Sequence, residues 1–272
     1  MPFTKVLVAD SVVQRLIETQ SIYSLMNRSY DGLVRPGATS VDVPAMPTLV
    51  VKTSGTSSTH VDRKKLKADT TMVNIPFTRA AVPIAGEIFT QFESNGMLLR
   101  EFTESAAQTF SEKFDSDVIV AAQTTTDKTA FAGATMAWAD IIDINSKMDV
   151  NKVPKNNRVI VVSATLAGEF FNIDVVKNAA SYQRDILAGG QLISLMGMRF
   201  FISGLVPTVT ISAAQKANMV GIYGPGVAFI LNRMMDVEET YDVDNLQRNI
   251  DFLSSYGVKL FDNKFAVVKH KI

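Results

Sequence analysis

Residue types that commonly carry catalysis are scarce in this chain. It contains no cysteine, and its histidines are His60 and His270, so composition excludes thiolate catalysis, disulfides and cysteine-ligated metals. A histidine-centred triad or a multi-histidine metal site would need residues that are far apart in the sequence to converge. We therefore interpret both histidines as solvated side chains.

Carboxylates and glycines also lack a catalytic pattern. Closely spaced carboxylates occur at Asp115/Asp117, Glu238/Glu239 and Asp242/Asp244. On one helix or strand, such spacings are typical of a solvated face rather than of an acid–base pair. The glycines between positions 189 and 226 form neither a phosphate-binding loop nor a dinucleotide-binding turn, which indicates ordinary turns. The sequence thus predicts no catalytic, cofactor-binding or metal-binding residues and a protein that is not an enzyme.

Opposite charges are concentrated in two segments. From 52 to 67 the bases are Lys52, Arg63, Lys64, Lys65 and Lys67, with Asp62 the one acid; from 236 to 251 the acids are Asp236, Glu238, Glu239, Asp242, Asp244 and Asp251, with Arg248 the one base. Two unrelated solvated surfaces would explain this pattern. The alternative hypothesis is an inter-subunit contact of Arg63, Lys64, Lys65 and Lys67 with Asp236, Glu238, Glu239, Asp242 and Asp244. Exposed ion pairs contribute about 0–1 kcal/mol each, so they would select register more than supply strength.

Bulk composition predicts a soluble globular protein. The chain has 272 residues, 47% of them hydrophobic, and equal numbers of basic and acidic residues, 27 each. This balance gives no general attraction to nucleic acid or to an anionic membrane. The longest uncharged runs, 200–215 and 217–232, are interrupted by proline and glycine and are shorter than the roughly 20 apolar residues that span a bilayer.

The first third of the chain suggests an extended arm. A helix is predicted over 10–26, and strands over 39–52 and 70–84 flank the polar segment 53–69. A hairpin with arms of about 14 residues would reach on the order of 45 Å, yet an isolated two-stranded hairpin is marginally stable in water. Two strands of an ordinary sheet joined by a long loop are the alternative. Prolines in both strands predict edge positions or partial pairing.

The remainder of the chain mixes helices and strands, which indicates an α+β fold. The strongest helix is predicted over 96–123, where apolar residues recur every four positions and form a stripe that must wind around the helix. A second helix is predicted over 134–147. Further predictions are a buried strand at 159–162 that runs into a helix, a strand at 199–202, a strand–turn–strand unit over 219–232 and a final strand over 265–272.

These segments, in this order, resemble the major capsid proteins of tailed bacteriophages with the Hong Kong 97-type fold. "VVQRLIETQSIYSLMNRSYDGLVRPGATSVDVP" resembles the N-terminal arm and the start of the extended loop. "VNIPFTRAAVPIAGEIFTQFESNGMLLREFTESAAQTFSEKFDSDVIVAA" resembles the returning strand and the spine helix. "NNRVIVVSATLAGEFF" and "GGQLISLMGMRFFISGLVP" are similar to parts of the axial domain, and "DFLSSYGVKLFDNKFAVV" is similar to the closing segment.

The resemblance implies a domain organisation. The expected parts are an N-terminal arm over 1–38, an extended hairpin loop over 39–84, a peripheral domain with the spine helix over 85–148, an axial domain over 149–235 and a return to the peripheral domain over 236–272. In the family the hairpin lies over a neighbouring subunit. The hairpin would then be buried by contact with other copies of the chain.

The resemblance also implies a function and partners. The expected role is self-assembly, through pentamers and hexamers, into the icosahedral shell that encloses the double-stranded DNA of a tailed phage. The virion would be the site of function, after assembly in the host cytoplasm. An encapsulin-type nanocompartment shell is the first alternative, and an enzyme of unknown chemistry is the second.

Two features of some family members are not expected here. Because the arm begins almost at Met1, a separate scaffolding protein, or none, is expected instead of a cleaved scaffolding segment; a portal protein is a further expected partner. Some members join subunits by a Lys–Asn isopeptide bond. Lys64, Lys65 and Lys67 are available, but no position matches the family's crosslinking residues, so crosslinking is not predicted.

Overall fold

The fold is described from a computed structural model of the chain. The structure describes residues 22–35, 37–44, 72–84, 96–176, 191–211, 214–242 and 247–272. Helices and strands are mixed along these ranges, which confirms the predicted α+β class. His60, the hairpin tip over 53–69 and most of the helix predicted over 10–26 lie outside the described residues.

The elements have the following bounds. The α-helices are α1 (Gly96–Gln123), α2 (Trp138–Val150) and α3 (Ala167–Phe171). The strands are β1 (Ser40–Pro44), β2 (Met72–Pro76), β3 (Thr78–Ile84), β4 (Lys128–Ala130), β5 (Arg158–Ser163), β6 (Gln191–Leu195), β7 (Met198–Ser203), β8 (Val209–Ile211), β9 (Ala214–Lys216), β10 (Asn218–Tyr223), β11 (Val227–Asp242), β12 (Gln247–Leu260) and β13 (Ala266–His270). Short 3-10 helices lie at Ile22–Leu25, Asp31–Leu33, Ala164–Leu166, Gly224–Gly226 and Asn263–Phe265.

A mixed sheet with strand order β4-β13-β10-β5-β7-β6 separates two hydrophobic cores. The central strand β5, of sequence RVIVVS, is buried throughout, as expected for a strand with both faces covered. Val159 and Val161 belong to the core that contains α1, whereas Ile160 and Val162 belong to the core that contains α2 and α3. Successive side chains of one strand therefore serve different cores, because they point to opposite faces of the sheet.

The α1 helix confirms the prediction over 96–123. Of its predicted apolar stripe, the described members from Ala106 to Ala122 are all buried. The helix contacts β12 and the 3-10 helix Ile22–Leu25 as well as β10 and β13 of the mixed sheet. Apolar residues spaced four apart form a stripe that winds around a helix with 3.6 residues per turn, so different elements contact the stripe along its length. No helix in the described ranges is long and apolar enough to cross a bilayer.

The strands β11 and β12 form a long antiparallel ribbon, and β3 adds to β12 as a third strand. We call this pair of strands the ribbon. From Val227 to Leu231 alternate residues of β11 are buried against α1 and against the hairpin formed by β1 and β2. Two register shifts follow between Leu231 and Asp236, after which pairing continues without interruption to Asp242.

Most predicted elements are confirmed, and three differ. The strands at 159–162 and 199–202, the Gly224–Gly226 turn and the final strand are present. The helix predicted over 134–147 begins at Trp138. The described end of the predicted N-terminal helix is the 3-10 helix Ile22–Leu25. The single return strand predicted over 70–84 is wrong, because β2 pairs with β1, whereas β3 pairs with β12.

Candidate subunit-contact surface

The base of the predicted hairpin rests on the chain's own ribbon. The strands β1 and β2 pair antiparallel, with Val41 opposite Ile75. Val43 and Ile75 have no exposed surface and pack against Ala228 and Ile230 of β11. The prediction that the hairpin does not pack against its own chain is therefore wrong for this base. The part of the hairpin between Pro44 and Met72 lies outside the described residues.

A glycine on β12 allows this close packing. A Cβ atom added at Gly257 would lie 2.8 Å from Ile75 Cγ2 and 2.9 Å from the carbonyl oxygen of Pro76. Beside it, Lys259 Nζ donates a hydrogen bond to the carbonyl oxygen of Asn74, at 2.8 Å. Asn74 Nδ2 in turn donates to Asp42 Oδ1 across the hairpin, at 2.7 Å. The hairpin base, meaning β1 and β2, is thus fixed to the ribbon by apolar packing and by polar contacts.

The same face of the ribbon becomes acidic further along. The register places Asp236 opposite Leu253 and Glu238 opposite Asp251, and side chains two positions apart lie on one face of a strand. Asp236, Glu238 and Asp251 therefore share the ribbon face on which Gly257 carries the hairpin base. We call these three residues the acidic face.

The structure describes only part of the predicted contact. Asp236 and Glu238 lie on the acidic face, and Glu239 and Asp242 are placed only by register, opposite Ile250 and Gln247. Asp244 and the predicted basic partners lie outside the described residues; those partners are Arg63, Lys64, Lys65 and Lys67. The pairing of the two segments thus stays a prediction. Asp251 was counted with the acidic segment but was not among its predicted contact residues.

A cleft lies between the residues that precede β1 and the acidic face. Its volume is about 270 Å³. It is lined by Gly37, Ala38, Thr39, Phe77, Arg79, Asn232, Arg233, Asp236, Glu238, Leu253, Ser254 and Ser255. Arg233 pairs with Asp236 at 2.9 Å. The cleft has charged side chains of both signs, Arg79, Arg233, Asp236 and Glu238, beside the apolar Phe77 and Leu253.

A carboxylate on α1 anchors the first described residues. Asp115 Oδ1 accepts a hydrogen bond from the backbone N–H of Tyr23, at 2.8 Å. Burial raises the pKa of Asp115 to about 6, although the backbone hydrogen bonds from Tyr23 and Ile22 act in the opposite direction. Asp117 is bonded as well: it pairs with Lys113 at 2.7 Å and accepts a hydrogen bond from the Tyr256 hydroxyl. The interpretation of Asp115 and Asp117 as a solvated pair is therefore wrong.

Replacing Asp115 by asparagine should remove a pH dependence of stability. Because the pKa of about 6 in the folded chain exceeds the ordinary value of 3.8, the folded state binds this proton more tightly than the unfolded state. The contribution of this residue to stability is therefore fully present below pH 4 and is lost as the pH rises through 6. Asp115→Asn keeps an acceptor for Tyr23 and should stabilise the subunit by up to about 3 kcal/mol at pH 7.5, with little change at pH 4.

Urea unfolding of the unassembled subunit at several pH values measures this effect. Glu112→Gln, on the exposed side of the same helix, is the matched control and should leave the pH dependence unchanged. Equal pH slopes for the wild-type chain and Asp115→Asn would contradict the assignment.

His270 is buried, contrary to the sequence interpretation. It lies at the end of β13 with 5% of its surface exposed, and its Nδ1 is 2.9 Å from the carbonyl oxygen of Lys271. The neighbouring Lys269 Nζ is also buried and lies 2.8 Å from Asp143 Oδ2 and 3.3 Å from Asp140 Oδ1. Within the described ranges, no group of three or more histidine, aspartate or glutamate side chains is placed to hold a metal ion.

Arg158 is a second buried charge that the sequence analysis missed. Its side chain has 1% of its surface exposed and pairs with Asp149 at 2.7 Å. It also donates to the Asn145 side chain and to the carbonyl oxygens of Val153 and Pro154. The pairing with Arg158 holds the pKa of Asp149 below its usual value. These bonds join the end of α2 to the start of β5, so Arg158 has a structural role.

Comparison with known proteins places this arrangement among solved structures. No family model and no curated protein sequence matches the chain. A protein of Mycobacterium phage Che8 is 20% identical and matches over 93% of this chain and 92% of its own, with a TM-score of 0.62. The cyanophage Pam1 capsid protein is 14% identical, with coverages of 94% and 91% and a TM-score of 0.59. The chain has a Hong Kong 97-type capsid fold.

The chain is also similar to the subunit of a virus-like particle. The subunit of a virus-like particle from Pyrococcus furiosus is 9% identical, with coverages of 97% of this chain and 98% of its own and a TM-score of 0.58. These likenesses cover nearly the whole of each chain and confirm the fold predicted from the sequence.

Proposed function

We propose that this chain is a major capsid protein, which self-assembles into the icosahedral shell that encloses the double-stranded DNA of a tailed phage. The observation that carries the proposal is the likeness over more than nine-tenths of the chain to the Pam1 capsid subunit. It is not limited to one common motif.

The hairpin base gives physical support to the proposal. The base is fixed on the ribbon through Val43, Ile75 and Gly257, so the chain between Pro44 and Met72 starts from a rigid platform. In this proposal that segment is the outer part of the extended loop over 39–84 and covers a neighbouring subunit. The domain divisions given above then apply: an arm over 1–38, a peripheral domain over 85–148 and 236–272, and an axial domain over 149–235.

The proposed partners are other copies of the chain, arranged as pentamers and hexamers in the virion. Equal numbers of acidic and basic residues limit the mutual repulsion of many identical copies. The same balance suits packaged double-stranded DNA that is held without sequence specificity. A portal and a separate scaffolding protein complete the proposed set, with assembly in the host cytoplasm.

A shell that encloses protein cargo is the second candidate. The specific observation in its favour is the likeness to the virus-like particle subunit of Pyrococcus furiosus over 97% of the chain. The two candidates share the capsid fold and the hairpin contact, but they differ in what the shell contains. Particles isolated from the natural source should contain nucleic acid if the chain is a phage capsid protein, and a folded protein if it is a nanocompartment shell.

The purified chain is expected to form particles or capsomers. Negative-stain microscopy and sedimentation velocity, performed across a range of concentrations and with a scaffolding protein where one is known, measure this directly. Pentamers, hexamers or closed shells are the expected products. A compact monomer at high concentration, without assembly under any of these conditions, would overturn the proposal.

A further inference from the structure

Residues 22–34 lie as a strap across α1 and β11, and we call them the strap. Their regular structure is limited to the 3-10 helices Ile22–Leu25 and Asp31–Leu33, which are too short to be stable by themselves. Three strap side chains are buried in the core that contains α1, namely Ile22, Tyr23 and Met26. The closed position of the strap therefore depends on its contacts with the rest of the subunit.

The middle of the strap is bonded to the edge of β11 at few points. The backbone N–H of Asn27 donates to the carbonyl oxygen of Val227, and the backbone N–H of Phe229 donates to the carbonyl oxygen of Asn27, both at 3.0 Å. Asp31 Oδ1 accepts a hydrogen bond from the backbone N–H of Leu231, at 3.0 Å. An element held by few hydrogen bonds can open locally while the rest of the protein stays folded.

The first turn of the strap fits closely against other elements. The Tyr23 ring contacts two phenylalanine rings, with centroid separations of 5.3 Å to Phe114 and 5.1 Å to Phe229. A Cβ atom added at Gly224 would collide with the carbonyl oxygen of Leu25. Closure of the strap thus depends on a close fit at both places.

One carboxylate on α1 holds this first turn. Asp115 Oδ1 accepts a hydrogen bond from the backbone N–H of Tyr23, at 2.8 Å, and the backbone N–H of Ile22 is a second donor to the same carboxylate. The first N–H groups of a helical turn have no partner within the turn, so Asp115 acts as a cap supplied by a distant part of the chain. Both donors belong to the strap, and opening the strap would therefore give water access to the carboxylate.

Burial and hydrogen bonding act on the pKa of Asp115 in opposite directions. The two strap N–H groups favour the charged carboxylate, whereas burial favours the protonated one and is the larger effect, which gives a pKa of about 6. No charged side chain of the described residues is a cause of this shift. With an open strap, water would solvate the carboxylate and return its pKa toward the ordinary value of 3.8.

The neighbouring charges on α1 have partners of their own. Lys113 pairs with Asp117 at 2.7 Å, and Asp117 also accepts a hydrogen bond from the hydroxyl of Tyr256 on the ribbon. Glu112, one turn before Asp115, is exposed and accepts a hydrogen bond from a glutamine side chain of the same helix. These contacts do not involve the strap, so they can persist when it opens.

The other titratable groups near this core belong to the strap and to β13. Arg28 pairs with Asp31 within the strap, at 3.0 Å. His270 lies on β13 opposite a β10 residue that is bonded to the Gln123 side chain, about 12 Å along α1 from Asp115 at roughly 1.5 Å per residue. Asp115 is thus the titratable group most directly linked to the position of the strap.

We propose that protonation of Asp115 controls the strap, which is closed on α1 when this carboxylate carries a proton and opens locally when it is charged. Because the closed strap binds the proton more tightly than the open strap, closure is most favourable below pH 4 and weakens as the pH rises through 6. Opening would remove Tyr23 from the aromatic cluster and would free the β11 edge between Val227 and Phe229. This device goes beyond the proposed function, since it belongs to the unassembled subunit whatever a shell encloses.

Hydrogen exchange of the unassembled subunit at several pH values tests this device. Protection factors, which are corrected for the intrinsic effect of pH on exchange, should be lower for the strap amides than for β5 at every pH, because the strap opens locally. Strap protection should fall about 20-fold from about pH 4.5 to about pH 7.5 and change little above about pH 7. Strap protection that does not fall over this range, or that equals the protection of β5 throughout, would overturn the proposal.

Two variants and one internal control accompany this measurement. Asp115→Asn should change its strap protection less than about 2-fold over the same range, whereas Glu112→Gln, which removes an exposed carboxylate from the same helix, should keep the full change. The β8–β9 hairpin contains no carboxylate and should show no pH dependence in any of the chains. An undiminished change in Asp115→Asn would overturn the proposal. The wild-type profile remains decisive even if this variant does not fold.

A glycine substitution tests whether the strap is the element that covers Asp115. Gly224→Ala should displace the strap, because the added Cβ would collide with the carbonyl oxygen of Leu25, and strap protection at about pH 4.5 should fall at least about 10-fold. The pH dependence of urea unfolding that Asp115 causes should disappear with it. Gly204→Ala, where no atom lies within 4 Å of the added Cβ, is the matched control. An open strap in Gly224→Ala with the wild-type pH dependence of unfolding would show that other elements bury Asp115, and would overturn the proposal.

Discussion

Replacing Gly257 by valine is expected to abolish particle formation. The position has no space for a side chain, since a Cβ would lie 2.8 Å from Ile75 Cγ2 and 2.9 Å from the backbone oxygen of Pro76. Overpacking of this kind costs about 1–3 kcal/mol, and the element with the least support elsewhere, the hairpin base, should yield. In the proposed shell, the chain that follows β1 would then lose the platform from which it extends to a neighbouring subunit.

Microscopy and limited proteolysis together measure this effect. Gly257→Val should give at least 10-fold fewer particles and faster cleavage next to β1 and β2, while the circular dichroism of the subunit is retained. Gly204→Val is the matched control, because no atom lies within 4 Å of a Cβ added at Gly204. Particle yields equal to wild type for Gly257→Val would show that assembly does not depend on the docked hairpin base.

Replacing Phe114 by alanine is expected to cause the largest loss of subunit stability. The ring of Phe114 contacts Tyr256 and Tyr23 edge-on, with centroid separations of 4.6 and 5.3 Å, and lies 5.4 Å from Phe229. It therefore joins α1 to the ribbon and to the first described residues. Truncation of a buried phenylalanine costs about 3–5 kcal/mol, which corresponds to a fall of about 10 °C in melting temperature for a chain of this size.

Thermal unfolding of the unassembled subunit measures the loss. Phe114→Leu keeps most of the buried volume and should cost less than about 1.5 kcal/mol. Phe171→Ala, at a side chain with 38% of its surface exposed, should also have a small effect. A loss at Phe114 no larger than the loss at Phe171 would contradict the central role of this aromatic cluster.

The helix α1 could be predicted from the sequence because its pattern is long and local. Apolar residues recur at helical spacing throughout Gly96–Gln123, and so the helical period is clear without knowledge of its neighbours. The strand β5 could be predicted for a similar reason, since an uninterrupted run of β-branched residues is typical of a strand buried on both faces. In both cases the local preference agrees with the final environment.

The ribbon could not be predicted in full because its regularity is interrupted. Register shifts between Leu231 and Asp236 break the alternation of apolar and polar residues, so the strand pattern in the sequence ends near Asn232. The prediction of a single return strand over 70–84 was wrong for another reason. Residues on both sides of Phe77 favour a strand, but the choice of partner, β1 before Phe77 and β12 after it, depends on tertiary packing.

Part of the candidate surface could be predicted from the charge pattern, and the rest follows from strand register and packing. The sequence points to Asp236 and Glu238 because acidic residues are concentrated there. The position of Asp251 opposite Glu238 follows only from the strand register. The importance of Gly257 has no local signal, since it arises from a hairpin that precedes it by nearly 200 residues. Asp115 likewise acquires its raised pKa from burial in the folded chain, which its neighbours in the sequence do not indicate.

The irregular pairing between Leu231 and Asp236 affects the curvature of the ribbon, and so the shape of a shell built from it. On one side of it the strands are clamped between α1 and the hairpin base; on the other side they carry exposed carboxylates. A bulge bends its strand and increases the local twist, so the ribbon changes direction at this point, while Phe252 and Val237 beyond it still pack in the core that contains α1. In the proposed shell, this fixed bend would be one local source of the curvature of each subunit.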